Sequence, residues 1–154
     1  MKKNLASFCF VLFLIFGVTG CDYSRCYRMT ITSSQTPLNE TRLTEQEIAQ
    51  INTDISFVAN QHGYTNHTEL TAWVNERNAQ TTRLCSYRSS HEQHRVGPYQ
   101  IIAIVNKSNS MVEIGVGYMN TFKKDRELKL KIVFDAIFEE LSKHPFLRIK
   151  KLSK

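Results

Sequence analysis

The sequence lacks most of the short signatures that would announce a chemistry. It contains no CxxC pair and no Cys/His set at zinc-binding spacing, which argues against a structural zinc site. It has no GxSxG elbow, no P-loop and no Rossmann glycine fingerprint. Charge of one sign is not in large excess. The formal charge is +6, or +4 once Lys2 and Lys3 are set aside with the N-terminal segment. That surplus permits attraction to anionic lipid but is far from a nucleic-acid signature. With 42% hydrophobic and 22% charged residues, the composition excludes both a disordered chain and a multispanning membrane protein. A length of 154 residues suits one domain with one core.

What is present begins at the N-terminus. Lys2 and Lys3 form a short positive region, and Leu5 to Phe16 follow as an apolar run without charge. Gly17, Thr19 and Gly20 then lead to Cys21. This is the layout of a secretory signal peptide. The apolar run can also be read as an uncleaved membrane helix, for which it is short against the ~20 residues a span needs.

The tetrad Val18-Thr19-Gly20-Cys21 resembles the lipobox of bacterial lipoproteins: a branched aliphatic residue, two small residues, then Cys. The resemblance covers only residues 1–21 or so. It implies that the Cys21 thiol receives a diacylglyceryl group, that cleavage falls between Gly20 and Cys21, and that the new amine is acylated. Two or three acyl chains hold a protein stably at a bilayer where one does not. In enterobacterial-type lipoproteins, Asp directly after the lipidated Cys marks retention in the inner membrane. Asp22 therefore implies the periplasmic face of that membrane. The alternatives are an ordinary cleavage site beside a disulfide cysteine at 21, and a solvated linker carboxylate at 22.

With Cys9 leaving in the signal and Cys21 consumed by lipid, Cys26 and Cys85 remain, in an oxidising compartment. A Cys26–Cys85 disulfide is the expected pairing, worth roughly 3–4 kcal/mol in the chain-entropy model. Two free thiols are the alternative.

Residues 21–25 read as a tether and 26–154 as a single α+β domain. Cys26 to Thr32 alternates as a half-buried strand, with Tyr27, Met29 and Ile31 on one side. Thr44 and Glu47 form a capping box, with Leu43 and Ile48 at the staple positions. They start a helix running to about His62, stopped by Gly63. Glu69 to Arg77 is a candidate short helix burying Leu70, Trp73 and Val74, and Thr82 to Tyr87 an extended segment carrying Cys85. Ser89 to Gly97 reads as a loop. Tyr99–Val105 and Met111–Tyr118 form a hairpin about the turn cluster Asn106–Ser110. Gly115 and Gly117 inside it are expected to relieve crowding or mark a bulge. An amphipathic helix over Lys124–Lys143 ends at Pro145, and Phe146–Leu152 is a last strand, at an edge where Lys150 and Lys151 are tolerated. With an insertion at about 63–98 set aside, the order is βαββαβ: a ferredoxin-like (split βαβ) antiparallel sheet of four strands with two covering helices.

His91-Glu92-Gln93-His94 is one residue short of the zinc-protease HExxH and falls in the predicted loop. His62 and His67 flank a turn as solvated side chains. The surplus of Lys and Arg from Lys123 to Lys154 reads first as a solvated helix face laced with pairs such as Glu127–Lys131, and second as a contact for anionic headgroups. Two functions are compatible with these features. One is a non-enzymatic lipoprotein, without cofactor or nucleic-acid partner, whose domain binds another envelope protein in an assembly, immunity-type or stress-linked role. The other is an envelope enzyme acting on cell-wall or lipid substrates through His91, Glu92, His94 and Tyr99.

Overall fold

Thr44 and Glu47 begin the first helix in the way their spacing predicts. In the computed structural model, which describes residues 25–34, 42–89, 99–118 and 124–152, α1 spans Glu45–Gln61. The Glu47 amide donates to Thr44 Oγ1 at 3.2 Å, and the Thr44 amide donates to Glu47 Oε2 at 2.7 Å, so both halves of the capping box are made. Ile51, Ile55, Val58 and Ala59 recur at three and four residues and are buried. The helix ends as Gly63 adopts φ 74°, a left-handed conformation that a residue with a Cβ resists.

Among the described residues, six strands form one antiparallel sheet. They are β1 (Arg25–Ser33), β2 (Tyr64–Asn66), β3 (Thr81–Ser89), β4 (Tyr99–Asn106), β5 (Val112–Tyr118) and β6 (Leu147–Leu152), in the order β2-β3-β4-β5-β1-β6. Two further helices are α2 (Thr68–Asn75) and α3 (Lys124–Ser142). Alternation decides the faces. Met29 and Ile31 of β1, Ile101 and Ala103 of β4 and Val112, Ile114 and Val116 of β5 point to one side and are buried. There they meet α1 and the buried side of α3, carried by Leu130, Val133, Phe134, Ile137 and Leu141. A fully buried Ile or Leu contributes about 1.5–3 kcal/mol, so this layer is the main source of stability.

Three details tie the helices to the sheet. Ser33 Oγ at the end of β1 donates to Glu47 Oε1 at 3.0 Å, linking the strand to the α1 cap. Asp54 of α1, 7% exposed, accepts from Gln50 Nε2 at 2.9 Å, and its other oxygen lies 2.7 Å from Nε2 of His144, beyond α3. Lys151 sits at an inward-facing position of β6 opposite Met29. Its ammonium Nζ sits over the Phe138 ring, 3.9 Å from the centroid, and donates to Asp135 Oδ1 at 3.0 Å. Asp135 also takes Lys131 at 2.5 Å, so two of the C-terminal cations are spent on one carboxylate.

Several expectations are corrected. Residues 63–98 are not set apart from the sheet: β2 and β3 extend it from four strands to six on the β4 side. The alternation of β3 is broken by a bulge between Arg83 and Cys85, where Leu84 is half-buried against the core and Cys85 is buried within it. Two successive inward residues hide the period-two signal. Trp73 is not core. It is 54% exposed, with the Arg77 guanidinium 4.3 Å above its ring, and no residue of α2 is buried. Gly115 neither relieves crowding nor marks a bulge: β5 pairs in unbroken register with β1 and β4, and a Cβ at Gly115 would meet nothing within 4 Å. Among the described residues, no helix is long and apolar enough to cross a membrane.

Candidate functional site

The sheet has a second face, turned away from α1 and α3. Register assigns its residues. Across the middle run Ser86, Ile102, Gly115 and Arg28, each paired with the next. The neighbouring row is Arg83, Ile104, Glu113, Thr30 and Lys150. On the other side Arg88 pairs with Gln100, which pairs with Gly117. The floor is thus half-buried isoleucine and glycine, with arginines at both flanks. Glu113 is the acidic residue in these rows, and its carboxylate lies 3.9 Å from the Arg28 guanidinium.

The β3 flank is the more constructed of the two. Because of the bulge, Arg83 and Ser86 share this face although an odd step of three positions lies between them, and Arg88 follows on the same side. Asn75 of α2 fixes the strand there. Its Nδ2 donates to the Arg83 carbonyl at 3.0 Å, and the Arg83 amide donates to its Oδ1 at 2.6 Å. A side-chain amide thus takes the place of a pairing strand where three-residue β2 has ended, so this sheet edge is covered. Ser86 is fully buried, 0% exposed. Ser86 Oγ, Arg83 Nε and Arg88 Nε are buried, and none has a hydrogen-bond partner among the described residues.

No family model matches this sequence, and no curated protein is significantly similar to it.

The residues singled out in the sequence fall as follows. Cys21 and Asp22 lie outside the described residues, as do His91, Glu92 and His94. Tyr99 opens β4 opposite Tyr118. His62 is exposed at the end of α1, and His67 precedes α2. Among the described residues, no three His, Cys, Asp or Glu side chains gather as a metal site.

The expected Cys26–Cys85 bridge is not formed. Cys85 is a free thiol, 2% exposed. The reason is topological. The Cys26 backbone pairs with Gly117 on β1, whereas Cys85 pairs with Ala103 on β3, and β4 and β5 lie between those strands. Three strand spacings amount to ~14 Å, whereas a disulfide needs Cα atoms roughly 4.4–6.8 Å apart. Burial pushes the Cys85 thiol up to about 12, only partly offset by its hydrogen bond with the Ala103 backbone and by the charge of Arg83. It is a small core side chain that does not ionise near neutral pH.

Sequence pattern alone does not single out the arginine pair of β3. The signal was there, in the spacing Arg83-x-x-Ser86-x-Arg88, but it becomes a face only once the bulge is known.

Proposed function

We propose that this chain is a lipid-anchored envelope protein whose α+β domain is a binding module for another envelope protein, not an enzyme. The observation that carries this reading is the sheet face turned away from α1 and α3: a half-buried apolar floor flanked by arginines, built on rigid paired strands. Within the sheet, the run β4-β5-β1-β6 and its two covering helices support a ferredoxin-like arrangement, to which β2, α2 and β3 are an addition. The anchor is Cys21, with Asp22 as the inner-membrane retention signal. β1 starts at Arg25, so in this reading the sheet hangs at most ~15 Å of extended chain from the lipidated residue. A partner in the same membrane is then within easy reach.

Labelled palmitate is expected in the wild type and absent from Cys21→Ser; labelling of neither form rejects the anchor. Asp22→Ser is expected to move the protein towards the outer-membrane fraction. A photo-crosslinking residue at Thr30, on the face turned away from α1 and α3, is expected to capture one protein in intact cells, whereas the same residue at Phe57 on α1 captures none. Equal capture from both positions, or a turnover activity in the purified protein, overturns the reading.

A further inference from the structure

We propose that Arg83, Ser86 and Arg88 form a receptor for a carboxylate carried by an acidic segment of the partner protein. The proposal rests on the domain being a binding module and names what that module recognises.

All three side chains can donate, and the two guanidinium groups can only donate. Their buried Nε and Oγ atoms have no acceptor among the described residues. A buried donor without an acceptor is costly, and a charged one more so. Three of them on one strand face, with Ser86 fully buried between the arginines, make a place that an anion would complete. The neighbouring acid of the face does not fill it. Glu113 is two strands away from β3, beside Arg28. The site is also held in advance, since Asn75 bonds both the amide and the carbonyl of Arg83. A planar carboxylate, with two oxygens and about four lone-pair positions, matches two arginine forks and a hydroxyl.

The geometry favours a protein segment over a lipid surface. The unpartnered atoms lie below the surface of this face, where a plane of headgroups does not reach. A uniformly anionic leaflet laid on this face would also meet Glu113, whose repulsion a chain with spaced carboxylates avoids. Ile102 and Ile104 beside the arginines offer the same segment an apolar floor.

The test uses the full chain in non-ionic micelles, with the arginine Nε–Hε resonances followed by NMR. The probes are a hexaglutamate peptide, inorganic phosphate, and vesicles of phosphatidylglycerol and phosphatidylcholine. Hexaglutamate is expected to shift the Arg83 and Arg88 signals saturably. Arg83→Gln with Arg88→Gln is expected to weaken binding about ten-fold or more, while Arg148→Gln on the far flank stays within about two-fold. Arg83→Lys, which keeps the charge and loses the fork, falls between. Because the wild-type shifts need no variant to fold, absence of a saturable shift overturns the proposal outright. So does equal affinity of the double variant. Shifts produced by phosphate or vesicles but not by hexaglutamate also overturn it, assigning the site to a phosphate group instead. Crosslinking from Thr30 separates this from the broader reading. Capture that persists in the double variant leaves the binding module standing and removes the receptor, whereas loss of all capture with intact hexaglutamate binding does the reverse.

Discussion

Replacing Glu47 with Ala tests how the first strand is tied to the first helix. Glu47 is 9% exposed and works in two directions. One carboxylate oxygen accepts the Thr44 amide at 2.7 Å and the other accepts Ser33 Oγ at 3.0 Å. Hydrogen bonds to a charged group are worth roughly 1.5–3 kcal/mol, and loss of a helix cap about 1 kcal/mol. Deleting the carboxylate undoes half the capping box and withdraws an acceptor from Ser33, so the expected loss is about 2–4 kcal/mol. Against a total stability of roughly 5–15 kcal/mol this is large. Urea unfolding followed by far-UV circular dichroism reads it directly. With a slope near ~1.5 kcal/mol/M, a loss of about 3 kcal/mol moves the midpoint down by about 2 M. Glu47→Gln keeps one acceptor and is expected to cost about half as much. The cycle of Ser33→Ala and Glu47→Ala separates the strand contact from the cap, with an expected coupling of about 1 kcal/mol. A midpoint change under about 0.3 M for Glu47→Ala, or strictly additive single effects, would refute the two-way role.

His144→Ala removes the partner of a nearly buried carboxylate and is expected to cost about 2–3 kcal/mol in the same assay, with Asp54→Asn recovering part of the loss in the double variant. Lys131 and then Lys151 hold the Asp135 carboxyl below its usual range. A lowered folded-state pKa gives stability above the unfolded value that is lost on acidification, so wild type is expected to fall more steeply than Asp135→Asn from about pH 5 to pH 3, less so in high salt. Cys85 is expected to react with a thiol reagent at pH 8 only on unfolding, and non-reducing mass mapping to find it unlinked to Cys26; rapid native labelling or a Cys26–Cys85 peptide would contradict the buried free thiol. Gly115→Ala is expected to raise stability by about 0.5–1 kcal/mol, since open space receives the Cβ and strand glycine carries an entropic cost; a drop in the melting temperature would count against it.

Much of this architecture is legible in the residues because the signals are local. Thr44, Glu47 and Gly63 mark α1 by chemistry that acts within one turn. The β4–β5 hairpin and α3 follow from periodicity. What escaped depends on residues distant in sequence or on an irregularity. Residues Thr82–Tyr87 show only an extended segment in the sequence, without a strand's alternation, because Leu84 and Cys85 interrupt the period. Apolar surface usually goes inside, which predicts a buried Trp73, yet α2 lies at the margin of the sheet, where an arginine stacks on the ring. The Cys26–Cys85 pairing follows from counting cysteines, and counting carries no strand order. Asp54–His144 joins residues that share no motif. The arginine flank needed the face assignment, which a single extra residue in β3 reverses.

The position of β1 has a consequence for how this chain reaches its native state. β1 is first among the strands in sequence, yet it lies between β5 and β6, the last two. As the polypeptide emerges, amino terminus first, β1 has no sheet partner on one side until β5 has followed and none on the other until β6. Loop-closure entropy must be overcome before those pairings form, which slows folding. Truncation ahead of Leu147 would leave the backbone groups of Arg28–Ser33 without their β6 partners, an edge open to pairing between molecules. The carboxyl-terminal residues therefore act as the seam that closes the sheet. The interval before they arrive is the period in which this protein is most dependent on being kept from its own copies.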